Sequence, residues 1–223
     1  MCRPHHDNRE IIVISHNRAN IAVMDAKTQK SEMTRIAIIG AGIDLALAEG
    51  LEAITLQAVA DRIGLSKSGV FSRIGSREAL QKAVIEEFGR RFLADVFVPA
   101  MQQPKGLPRL DAIVQRWIVR MRDVEAKSGC IYTAGAFELD DREGELRDTL
   151  LQEVTRWRAA LRRTVLQAIE AGHLQADTDA DQLVGEISNL SIGLLHDARF
   201  LRDRSAAERA QASWQRLIKS YQA

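Results

Sequence analysis

The stretch at residues 55–80, TLQAVADRIGLSKSGVFSRIGSREAL, constrains what this chain can fold into more than any other. Leu56, Val59, Ala60 and Ile63 recur at the spacing of one helical face, and Gly64 follows where a left-handed residue ends a helix. Ser66 then offers an N-cap oxygen to a second short helix over about 67–73, whose Val70 and Ile74 can pack back on Val59 and Ile63. Leu65 plugs the corner, and Ala60 is small enough for the second helix to lie close. This pattern predicts a helix-turn-helix. Its exposed side carries Lys67, Ser68, Gly69, Ser72 and Arg73, with Arg77 just beyond. From Arg62 to Lys82 there are five basic residues and one acidic residue, a local charge of +4 in a chain whose formal total is +1. A basic surface on a near-neutral chain is the footprint of a nucleic-acid contact.

Taken in order, Thr55, Val59, Ala60, Gly64, Leu65, Ser66, Lys67, Val70, Phe71, Ile74, Ser76, Arg77, Glu78 and Leu80 resemble the DNA-binding region of the TetR (tetracycline repressor) family of bacterial transcription regulators. The resemblance covers roughly residues 31–88. Three positions depart from it: Phe71 stands where Tyr is frequent, Arg73 where Tyr or His is common, and Ile74 where Phe is usual. The resemblance implies an all-α fold of about nine helices, with a three-helix DNA-binding domain ahead of a larger ligand-binding and dimerisation domain. It also implies a double-stranded DNA operator, near-palindromic, and a homodimer that a small molecule releases from it as a relieved repressor. On that reading Lys67, Ser68, Gly69 and Ser72 lie closest to base edges, Thr55, Phe71, Arg73 and Arg77 serve phosphates and sugars, and Ser66 completes the DNA-binding set.

Around this motif the chain divides into an extension at 1–30, a helix-turn-helix domain at 31–76, a connecting helix at 77–100 and a ligand and dimer domain at 101–223. The extension holds His5, His6 and His16 without a second cluster at ligand spacing, so no metal is expected. Met24 opens a segment like an ordinary regulator N-terminus, which suggests a start there. Ile36, Ile39, Ile43 and Leu47 predict a helix from Ser31 or Thr34 to about Glu49, and Thr34 at its N-terminus is placed to meet a phosphate. Gly40 and Gly42 each cost about 1 kcal/mol of helix propensity, which calls for a close approach of another helix. Leu80, Val84, Phe88 and Phe92 predict the connecting helix, ended by Pro99.

Beyond a loop with Pro104, Gly106 and Pro108, four or five amphipathic helices follow; the longest stripe runs from Leu146 through Trp157 to Ile169. Large side chains at inward spacing, Trp117, Met121, Phe137 and Trp157, with Asn189, are the candidate walls of a pocket for an apolar or aromatic effector. The helix near 181–201 is apolar or small on two faces, and Gly185, Ser188, Ile192, Leu195 and Arg199, with Trp214 of the last helix, are expected at a twofold dimer interface. Cys130 is either a thiol sensor or a buried, inert residue. The two cysteines fit a reduced compartment, and the absence of an apolar run of about 18 residues argues against a membrane span, so a cytoplasmic protein is expected. No phosphate loop, HExxH or GxSxG is present, and neither an enzyme nor a cofactor is expected. The rival reading is a helical ligand-binding or scaffold protein that does not bind DNA.

Overall fold

In the computed structural model, residues 8–223 have a described backbone and residues 28–223 described side chains. The histidines at 5, 6 and 16, considered above as ligands, and most of the extension at 1–30 therefore lie outside the described side chains. Nine helices of eight or more residues build these described parts: α1 (Asn8–Glu49), α2 (Leu56–Ile63), α3 (Lys67–Ile74), α4 (Arg77–Phe92), α5 (Leu107–Arg120), α6 (Ile131–Glu138), α7 (Glu145–Glu170), α8 (Ala180–Leu195) and α9 (Ala206–Tyr221). The fold is all-α. The helix expected to begin at Ser31 or Thr34 begins instead at Asn8.

The head follows from its local chemistry. Thr55 caps α2 by accepting from the Ala58 N–H, Ser66 caps α3 through Gly69, and Ser76 caps α4 through Ala79. Each such cap is worth about 1 kcal/mol. Gly64 ends α2 at φ +67, in the left-handed region that a β-carbon disfavours, and its N–H reaches the Ala60 carbonyl. With both ends of each short helix held, Ile38, Val59, Ala60, Val70 and Leu80 meet in a fully buried cluster. Ile36, expected on the inner stripe of α1, is exposed, and Ile38 takes the buried position.

Helix α4 passes from the head into the body and packs on both α1 and α7. One of the two α1 glycines explains itself: a β-carbon at Gly42 would stand 2.5 Å from Val84 Cγ2, whereas nothing lies within 4 Å of one at Gly40. Gly89 plays the same part deeper in the body, where a β-carbon would meet the Tyr132 hydroxyl at 2.5 Å and Glu153 at 2.8 Å. The body is closed by α5, α7, α8 and α9 around Leu110, Leu161, Val165, Leu183 and Trp214, all completely buried or nearly so. Short π-helical turns prolong α4, α5 and α8 over Leu93–Phe97, Met121–Glu125 and His196–Phe200. No helix among the described residues is long and apolar enough to cross a membrane.

Candidate nucleic-acid interface and ligand cavity

The outer side of α3 is a polar surface held by its own hydrogen bonds. Ser66 and Ser68 hydroxyls lie 3.1 Å apart, Ser72 donates to the Gly69 carbonyl at 3.0 Å, and Arg73 donates to the same carbonyl at 2.9 Å. Lys67 is exposed and makes no ion pair or side-chain hydrogen bond among the described residues. Phe71 projects outward with 58 % exposure, which for an aromatic on an eight-residue helix leaves its ring free for another surface. The Thr34 hydroxyl donates back to the Lys30 carbonyl at 2.8 Å inside the long α1, so the helix N-terminus expected beside it is not there.

Arg77 departs from its expected role. Its Nε donates to the Ile54 carbonyl at 3.0 Å, and its terminal nitrogen reaches the Glu52 carbonyl at 2.6 Å and the Glu52 carboxylate at 3.1 Å. The guanidinium clamps the loop between α1 and α2 while the side chain stays 40% exposed. Gln81 adds a buried bond to the Leu51 carbonyl at 3.1 Å. From the opposite side, Glu138 at the end of α6 accepts from the Leu51 and Glu52 backbone N–H groups, both at 2.8 Å. Carboxylate bonds to backbone donors are charge-assisted and strong, so this pair ties the head loop to the body across more than 80 residues of sequence.

Helix α6 also lines the cavity. About 360 Å³ of partly open space is lined by Phe92, Trp117, Met121, Trp157 and Val154 on the apolar side and by Tyr132, Thr133, Ala136 and Phe137 along α6. Four of the five residues expected around a pocket, Trp117, Met121, Phe137 and Trp157, stand on this wall. Asn189 does not: it is exposed, and its neighbours Ser188 and Ser191 face the cavity instead. Trp117 and Trp157 meet edge to face at 4.7 Å between ring centroids, and Phe92 packs on both. Such aromatic walls fix the shape of the space, because each ring is held by its neighbours.

Behind this wall lies a buried ion cluster. Arg120 donates to Glu125 at 2.9 Å and to Asp95, while its guanidinium lies over the rings of Phe88 and Phe92 at 5.6 and 5.8 Å. Glu125 is completely buried, and that burial raises its pKa against the pull of Arg120. Cys130 is buried beside it; loss of hydration first and the Glu125 charge second push the thiol up to about 12. The thiol-sensor alternative therefore loses its chemistry, since the thiolate is the reactive form. Local spacing does carry a trace of this cluster: Arg120 interrupts the Trp117 and Met121 face of α5.

The residues expected at the dimer interface separate. Trp214 is completely buried in its own protomer, where its indole N–H donates to Asp111 at 2.7 Å; Ser188 and Leu195 are buried as well. Gly185 is half-buried, Ile192 is exposed, and Arg199 is exposed with a bond to the Lys127 carbonyl at 2.9 Å. The large exposed apolar side chains of this end are Phe200 and Leu201, with Ile192 a little before them.

A capped helix-turn-helix is thus joined by one continuous helix to a hollow helical body. Residues 106–214 match the family model described as "Tetracyclin repressor-like, C-terminal domain". Over that stretch the chain carries a domain similar to the C-terminal domain of tetracycline-repressor-like proteins. Comparison with curated proteins gives no match. Among solved structures, a TetR-family regulator from Cytophaga hutchinsonii superposes with a TM-score of 0.73 at 19% identity, covering 87% of this chain and 97% of that one. A Streptomyces coelicolor regulator gives 0.73 at 14% identity over 89% and 95%, and one from Chloroflexus aurantiacus 0.71 at 22% over 86% and 95%. At these identities the likeness is one of fold.

Proposed function

We propose that the protein is a ligand-responsive repressor, in which a twofold dimer sets two copies of α3 into successive major grooves of a near-palindromic operator. The observation that carries this reading is the outer face of α3: Lys67, Ser68 and Ser72 are exposed on a helix fixed at both ends, within a segment of charge +4. Lys67, Ser68, Gly69 and Ser72 meet base edges, and Phe71 and Arg73 meet the backbone. Arg77, Ser66 and Thr55 act indirectly, by holding the loop and the helix starts. The dimer forms on the α8 and α9 end through Ile192, Phe200 and Leu201, with Gly185 allowing close approach; Trp214 belongs to the protomer core.

The effector occupies the aromatic cavity. Because α6 both lines that cavity and grips the head loop through Glu138, and because α4 contributes Phe92 to the wall, occupancy biases how the head is set on the body. The shift is limited by the ligand's preference for one setting over the other. Selection from a pool of randomised duplexes at modest salt tests the reading. It is expected to recover an inverted repeat whose half-sites lie about one helical turn, or a small multiple, apart. Recovery of no fragment would leave the rival reading, a helical binding protein without DNA.

A further inference from the structure

On its α8 side the cavity is polar in a one-sided way, while Tyr132 and Thr133 bring two further hydroxyls from α6. Ser188 and Ser191, both more than nine-tenths buried, face it from α8. Ser188 Oγ donates to the Val184 carbonyl at 2.7 Å, and Ser191 Oγ donates to the Ser188 carbonyl at 2.7 Å. Each hydroxyl has one proton and two lone pairs. With the protons engaged by the backbone, what both serines turn toward the cavity is acceptor capacity. A ligand acceptor placed there would have to break an intrahelical bond; a ligand O–H or N–H would not.

The remaining wall narrows the class further. Phe92, Trp117, Met121, Val154 and Trp157 offer ring faces and apolar edges, and the two charged residues of the lining, Asp140 and Arg158, are exposed at the mouth. A charge carried into the interior would lose its hydration without an opposite partner, which costs several kcal/mol. Cys130 does not supply one, since its thiol stays protonated. Resting on the effector role proposed above, we infer that the cavity selects an uncharged ring compound that presents a hydroxyl or N–H donor to Ser188 and Ser191.

Equilibrium dialysis of the full chain, without DNA, against 2-naphthol and its methyl ether 2-methoxynaphthalene tests this. The ring is the same and the donor is removed. The wild type is expected to bind the naphthol about 10-fold more tightly, the worth of one hydrogen bond of about 1.4 kcal/mol. In the double variant Ser188→Ala, Ser191→Ala the two affinities should fall within about twofold of each other. Ala136→Trp, which fills the cavity from α6, should weaken both probes. Equal binding of the two probes by the wild type, or a preference that survives the double alanine variant, overturns the donor inference and leaves the cavity in its effector role. Absence of binding by either probe, or binding untouched by Ala136→Trp, removes the cavity as an apolar site and the effector reading with it.

Discussion

The head and the body are made of the same kind of amphipathic helix, yet they use their apolar faces in opposite ways. In the head, Ile38, Val59, Ala60, Val70 and Leu80 bury completely against one another. In the body, Trp117 stands edge to face with both Trp157 and Phe92 beside about 360 Å³ of space. A solid head presents α3 in one orientation. A hollow body leaves space that, under the function proposed above, an effector fills. The difference lies in what holds each part: the head is set by short caps and the Arg77 clamp on its loop, whereas the body relies on pairs such as Arg120 with Asp95, 25 residues apart, and Trp214 with Asp111, 103 residues apart.

The largest effect is expected where a buried carboxylate depends on one counter-charge. Arg120→Met leaves Glu125 buried without its counter-charge, and urea unfolding is expected to show a loss of about 3–5 kcal/mol. Adding Glu125→Leu should return most of it, because an apolar pair needs no compensation there. If the single variant were as stable as the wild type, the body would not depend on that pair. Next in size is Gly42→Ala, where a methyl group 2.5 Å from Val84 forces α1 and α4 apart; thermal or chemical unfolding should report about 1–3 kcal/mol of destabilisation. Gly40→Ala, with nothing within 4 Å, is expected to be neutral or stabilising.

Glu138→Ala addresses the link between the two regions. Two charge-assisted bonds to backbone donors are lost, with an expected cost of about 1–2 kcal/mol. More telling is amide exchange: the Leu51 and Glu52 N–H groups should exchange faster while those of α7 keep their protection. Unchanged exchange at 51 and 52 would remove Glu138 from the link. The smallest effect concerns Glu87, which hydrogen bonds from Arg90, and more weakly Arg91, hold at a pKa of about 2 against burial that opposes them. Its carboxylate is favoured in the folded state, so the contribution is present above the ordinary value near 4.5 and fades as pH falls from there toward 2. Both arginines are largely exposed, so the gain is below about 1 kcal/mol. In Glu87→Gln that part of the acid slope should vanish from the pH profile of stability.

How legible each region was in the sequence follows the same division. The head depends on neighbours a few residues apart: Gly64, Ser66 and the Val59, Val70 pairing could be read from spacing alone. Arg77 could not, because its partners are carbonyls 23 and 25 residues earlier in a loop that spacing does not place. Large aromatics at inward positions located the cavity wall, but Asn189 is turned outward between Ser188 and Ser191, a rotation smaller than helix boundaries fix. Trp214, expected at a dimer interface, turns into its own protomer instead. Which partner it met, its own α5 or a second subunit, depended on Asp111 more than 100 residues away.

Fluorescence anisotropy of a duplex recovered by selection, titrated across a salt series, separates a contact made by α3 from a head merely held together by Arg77. The slope of log affinity against log salt should fall by about 1 for Lys67→Ala and stay unchanged for Arg77→Ala. A slope reduced by Arg77→Ala and untouched by Lys67→Ala would contradict the α3 contact.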